Sequence, residues 1–160
     1  MTLVTSALLW FSAIGCGLLA GVYFAFSTFI MTALGRVDQA HGVSVMNAIN
    51  STILHSLFMP LFFGTTLVGL VLAVMAVFRW SEPGATAMLT AGLIYVAGMF
   101  LFTMLFNVPL NNALAADGPA SAEAASVWAR YLKDWTLWNH VRTIASTAAC
   151  ALYIAALAAK

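Results

Sequence analysis

The densest polar run in this 160-residue chain is Trp138-Asn139-His140-Val141-Arg142-Thr143. It stands at the start of a long apolar segment, where an arginine needs a reason. On insertion scales an arginine at the centre of a membrane helix costs about 2.5–3.5 kcal/mol. The positive end of the helix dipole opposes it as well. Two accounts stay open. Arg142 snorkels to the interface along its apolar stem, or it points inward and binds an oxyanion, an enolate or a carboxylate. No Asp or Glu lies within the apolar runs to pair with it, which favours a ligand or backbone carbonyls. His140 and His55 fall at similar depth. Each is a candidate general base, because imidazole titrates near neutral pH. Together they could ligate a metal or a haem, although no H-x-x-x-H or carboxylate triad accompanies them. Asn50, Asn107, Asn111 and Asn139 add amides that could cap helix ends or hold a ligand.

The elements that must position these groups are four apolar runs, at 3–34, 52–78, 85–106 and 138–159. Each is long enough to cross a hydrocarbon core of about 30 Å as a helix. Along an alternating path, the end of helix 1, the start of helix 2, the end of helix 3 and the start of helix 4 share one side. That side gathers Asn47, Asn50, His55, Asn107, Asn111, Asn112, Asn139, His140 and Arg142, a polar pocket at one mouth of the bundle. The opposite side carries Arg79, Glu82 and Lys160 as ordinary boundary charges.

Composition agrees. Apolar residues make up 63% of the chain and charged residues 7%, against about 25% charged in soluble domains. Such a chain cannot clothe a soluble surface. The expectation is an all-α integral membrane four-helix bundle, one domain over 1–160, with a bilayer as its solvent. The net charge of +1 suggests no nucleic-acid partner. The N-terminus lacks a basic n-region and its apolar run is too long for a removable leader, so helix 1 is read as retained. The expected location is a bacterial inner membrane. Arg36, Arg130, Lys133 and Arg142 against Arg79 and Lys160 put the polar mouth in the cytoplasm and both termini outside.

Several local features refine this picture. Gly17-Leu-Leu-Ala-Gly21 permits close helix approach and is read as packing within the bundle in preference to dimerisation; the oligomeric state, including a homo-oligomer, is left open. Helix 1 should end near Gly35-Arg36-Val37-Asp38. Asn47, Asn50, Ser51 and His55 share one helical face on a helix 2 that starts early, and Pro60 should kink that helix. Arg79-Trp80-Ser81-Glu82-Pro83-Gly84 is a tight turn. Pro109 should help end helix 3. The stretch 115–123 is a linker, with Ser121 an N-cap and Glu123 in a first turn. Trp128, Tyr131, Trp135 and Arg142 then form a stripe. The first part of helix 4 protrudes in part into the headgroup zone, with Trp128 and Tyr131 as anchors. Cys16 and Cys150 lie in helix middles without a C-x-x-C partner and read as small apolar residues.

Four segments carry a resemblance. Phe26-Ser-x-x-x-Met31-x-Ala-Leu34, Met46-x-x-Ile-Asn50, Asn107-Val-Pro-Leu-Asn111 and Trp135-x-x-Trp138-Asn-His-Val-Arg-Thr143 together resemble the anthrone oxygenase-like family of small four-helix membrane proteins. The resemblance implies a four-helix membrane fold. It also implies oxidation of a polycyclic anthrone to a quinone with dioxygen. In that reading His140 is the base, and Arg142, Asn107 and Asn111 hold the oxyanion. Phe106 and Trp138 cover the rings, and Asn50, His55 and Asn139 complete the substrate pocket. An electron-rich enolate can react with dioxygen without a cofactor, and neither cofactor nor metal is assigned. The partner is then a lipophilic small molecule, anthrone-like or a quinol. Two other readings compete. One is a non-enzymatic scaffold or accessory subunit. The other is a haem or copper protein using His55 and His140.

Overall fold

The computed structural model describes residues 2–116 and 119–159. Five helices carry the fold: α1 (Leu3–Leu34), α2 (Gln39–Ile53), α3 (Phe58–Phe78), α4 (Ala85–Ala116) and α5 (Glu123–Ala158). All but α2 are long and apolar enough to cross a membrane, and no strand occurs among the described residues. The protein is an all-α integral membrane bundle. Around it, α1 packs on α5 and α3, and α4 packs on α3 and α5. The short α2 lies against the end of α4 and the start of α5.

Lipid is as apolar as leucine, so close packing and not hydrophobic transfer holds such helices together. A Cβ on Gly92 would sit 2.7 Å from the Gly69 carbonyl oxygen, and this glycine lets α4 approach the α3 backbone. Gly84 closes the turn before α4 with φ of 81°, a left-handed conformation that costs glycine little. The expected Gly17/Gly21 packing is only half present. A Cβ on Gly17 would meet Cys150, whereas Gly21 faces open space. Cys16 is buried, Cys150 is half-buried, and neither is bridged.

Helix ends follow local chemistry. The Thr2 hydroxyl accepts from the Thr5 N–H, Asp38 caps α2 through the N–H groups of Ala40 and His41, and Ser121 accepts from the Ala124 N–H. Helix α1 ends at Leu34, next to Gly35. Of the expected 115–123 linker, Asp117 and Gly118 lie outside the described residues, as does the boundary charge Lys160.

Three expectations are corrected here. Pro60 does not kink a continuous helix. The chain breaks at 54–57, and Pro60 falls in the first turn of α3, where a backbone N–H would lack an intrahelical partner anyway. Pro109 does not end helix 3, which runs on to Ala116. A π turn at Thr103–Asn107 precedes it, with the Val108 N–H donating to the Thr103 carbonyl. That wider turn relieves the clash a proline makes with the preceding carbonyl. Trp128 and Tyr131 are not interfacial anchors: they are 6% and 0% exposed. They pack with Met31, Val43, Met46 and Leu114 in a second core beneath α2, because α2 covers the face expected to meet headgroups.

Candidate functional site

Between the main bundle core and the second core under α2 lies a cavity of about 300 Å³, to which all five helices contribute. That is the lower end of the range for small-molecule sites. Its wall is mainly apolar: Phe26 from α1, Met46 and Ile53 from α2, Phe58 and Phe62 from α3, Met104 from α4 and Trp135 from α5. Asn50, Thr103, Asn111 and Arg142 supply polar groups. Leu54, 57% exposed in the break before α3, lines its rim.

Helix irregularities ring this cavity. Helix α1 contains a π turn at Phe26–Ile30, α4 has two at Val96–Leu101 and Thr103–Asn107, and α5 has one at Tyr131–Trp135. Phe26, Thr103, Met104 and Trp135, all from these turns, line the cavity. Inserting a residue into an α-helix displaces backbone pairing, and side chains here meet carbonyls beside the turns. Asn107 Nδ2 donates to the Trp135 carbonyl at 3.1 Å. Asn139 Nδ2 donates to the Tyr23 carbonyl at 2.7 Å, and Thr103 Oγ1 to the Met99 carbonyl at 2.7 Å.

Arg142 is the centre of the polar set. It is 5% exposed, so it does not snorkel to an interface. Its Nη2 donates to Asn139 Oδ1 at 2.7 Å, and its Nη1 reaches Thr103 Oγ1 at 3.5 Å. Its Nε has no hydrogen-bond partner among the described residues. The guanidinium carbon lies 4.5 Å from the Tyr23 ring centroid and 5.0 Å from that of Trp135. Cation–π contacts of this kind are worth about 2 kcal/mol when desolvated. The ion pairs among the described residues are His41–Asp38 and Arg79–Glu82, so Arg142 meets no carboxylate there. A buried cation faced by aromatics and amides, with cavity space beside it, is arranged to receive an anion.

A second polar group lies further along. Asn111 Oδ1 accepts from the Tyr131 hydroxyl at 2.7 Å and from Trp135 Nε1 at 2.8 Å. Asn50 Nδ2 donates to the Tyr131 hydroxyl oxygen at 3.4 Å. Trp128, Tyr131 and Trp135 stack on one another, which fixes the orientation of these donors.

Of the residues expected at the site, the structure brings Asn50, Asn111 and Arg142 to the cavity wall. Asn107 and Asn139 stand behind it, 1% and 0% exposed, and act as cross-helix ties instead of helix caps. Phe106 and Trp138 stack on each other at 4.2 Å but do not line the cavity. His55 is exposed in the break at 54–57, and His140 is exposed on α5; neither lines the cavity. The reason for His140 is helical phase. It is two residues from Arg142, about 200° around the helix, and shares its stripe with exposed Leu137 and Ile144. A shared haem or copper ligand role for the two histidines thus has no support in their placement. Among the described residues, no three His, Cys, Asp or Glu side chains come together to hold a metal. Tyr23, Thr103 and Trp135 are the cavity residues around Arg142 that sequence reasoning did not assign to the site. Thr103 had a signal, since 103, 107 and 111 recur at the i, i+4, i+8 spacing of one helical face.

No curated protein matches the chain, and no solved structure does. The family model described as anthrone oxygenase matches residues 55–152. The match takes in the Asn107-Val-Pro-Leu-Asn111 and Trp138-to-Thr143 segments and leaves the α1 and α2 segments outside. It covers more than half of the chain, with Asn111, Trp135 and Arg142 inside it, and the protein belongs to the anthrone oxygenase family.

Proposed function

We propose that this protein is a membrane oxygenase whose cavity takes a flat lipophilic aromatic with an ionisable oxygen, an anthrone or a related quinol, and presents it to dioxygen. The observation that carries this reading is Arg142, a buried cation at a cavity wall, flanked by the Tyr23 and Trp135 rings and without a carboxylate among the described residues. The family's name points to the same substrate class.

The chemistry balances. The methylene carbon of an anthrone gives up a proton, and the enolate charge collects on oxygen, where Arg142 holds it. The carbon opposite that oxygen bonds dioxygen, and a proton goes to the terminal oxygen. The resulting hydroperoxide loses water, its carbon giving up its remaining hydrogen, and a second carbonyl is left. One anthrone and one dioxygen become one anthraquinone and one water. Among the described residues no His, Asp or Glu lines the cavity, so the first proton leaves to solvent at the rim. Arg142 favours that loss by pairing with the anion it creates. The aromatic wall binds the rings.

The test is turnover. Purified protein in nanodiscs, given anthrone, should consume dioxygen and form quinone absorbance, while Arg142→Met should fall to the level of empty discs. Equal rates in protein and empty discs would overturn the reading. The same proposal places the polar mouth at the cytoplasmic face of a bacterial inner membrane. Exposed Arg36, Arg130 and Lys133 stand on that side, against Arg79 on the other. Protection of a cysteine introduced beside Lys160 from an impermeant reagent in intact cells would reverse that orientation.

A further inference from the structure

The Asn111 carboxamide has a fixed direction. Its Oδ1 accepts from Tyr131 and from the Trp135 indole N–H. An indole N–H can only donate, so oxygen and nitrogen cannot be exchanged at this position. Asn111 lines the cavity, and its Nδ2 makes no hydrogen bond to the described residues. The result is an oriented donor that still lacks an acceptor.

This donor is separate from Arg142. Arg142 Nη1 stands beside Thr103, and Thr103 precedes Asn111 by eight residues of α4, about two helical turns. Trp135 bridges the two positions, with Arg142 over its ring and its Nε1–H on Asn111. Two donor positions parted by one indole suit a ligand whose oxygens face outward from opposite sides of one ring.

We propose that Asn111 Nδ2 is a second oxygen-binding point of the cavity, opposite the oxygen held by Arg142, so that the site selects flat ligands with oxygens at both ends of one ring. The proposal rests on the cavity being the ligand site described above. In the reaction, this donor faces the carbon that gains oxygen, and it makes its hydrogen bond only once that oxygen has arrived.

The experiment compares two probes by equilibrium dialysis of protein-loaded against empty nanodiscs. Anthrone carries one oxygen and anthraquinone carries two at opposite positions. The wild type should bind anthraquinone about fivefold more tightly than anthrone, the worth of one net hydrogen bond. Asn111→Asp keeps an oxygen for Tyr131 and Trp135 but removes the donor, and the ratio of the two dissociation constants should fall to about one. Asn111→Leu should do the same, and the Asp variant decides the matter if the Leu variant fails to fold. Wild-type binding of both probes without preference, or an Asp variant that keeps the preference, overturns this inference alone. Wild-type binding of neither probe above empty discs overturns the cavity reading with it.

Discussion

Asn139 Oδ1 accepts a 2.7 Å hydrogen bond from Arg142 Nη2 one turn along α5, while Asn139 Nδ2 donates to the Tyr23 carbonyl and to Ser27 Oγ. One buried amide therefore ties the cation of α5 to the backbone of α1. It does so without neutralising the cation, since an amide carries no charge.

Asn139→Asp should separate these two roles. A carboxylate in that position would pair with Arg142 and compensate its charge. Affinity for an anionic aromatic, such as a naphtholate, should fall at least about tenfold, about 1.4 kcal/mol, with helicity unchanged by circular dichroism. Asn139→Leu should instead destabilise the protein by about 1.5–3 kcal/mol, the worth of a hydrogen bond to a charged group. Ligand affinity unchanged in the Asp variant would mean that the guanidinium charge does not meet the ligand.

Arg142→Lys tests the fork itself. A lysine retains the charge but not the planar donor set that reaches Asn139 and Thr103 while lying over two rings. Loss of a preorganised donor to a developing oxyanion typically costs about 10²–10³ in rate. Turnover of anthrone should drop by that order in a folded variant, and near-normal turnover would remove Arg142 from the chemistry.

His140→Ala should leave turnover within about twofold of wild type. The imidazole is exposed on the stripe of α5 facing away from the cavity, and substitutions far from such features usually change little. The same holds for His55→Ala in the exposed break before α3. A drop of two orders of magnitude in either variant, with pH dependence abolished, would reinstate a histidine base.

The bundle was legible because apolar run length answers directly to bilayer thickness, and the side of the polar mouth followed from alternation of the runs. His140 was legible in part. Once Arg142 is placed inward, a residue two positions away must point outward, so the two could not share one pocket. What the sequence concealed were the π turns. Nothing in Tyr131-Leu-Lys-Asp-Trp135 announces an inserted residue, yet each insertion resets helical phase downstream. A regular helix puts Asn107 and Asn111 on one face. The π turn at Thr103–Asn107 accompanies Asn107 bonded to the Trp135 carbonyl and Asn111 at the cavity wall. Nor did the apolar pattern show that α2 would fold over Trp128 and Tyr131, because a tryptophan stripe reads equally as an interfacial belt or as a core.

Removing one residue tests whether the π turn of α5 builds the site. Lys133 is exposed within that turn, so its deletion removes little packing and lets the segment close as a regular α-helix. Everything N-terminal to the deletion then rotates by about 100° relative to Arg142 and shifts by about 1.5 Å. Tyr131 and Trp128 would turn with that segment, and the Tyr131–Asn111 hydrogen bond would break. Helicity should remain close to wild type, while thermal stability falls by about 1–3 kcal/mol for the unsatisfied buried groups. Anthrone turnover should be lost, although Arg142, Asn139 and Asn111 are all still present. Lys133→Ala, which keeps the residue count, should retain both stability and turnover. Full activity in the deletion variant would show that the extra residue of this turn does not set the cavity geometry.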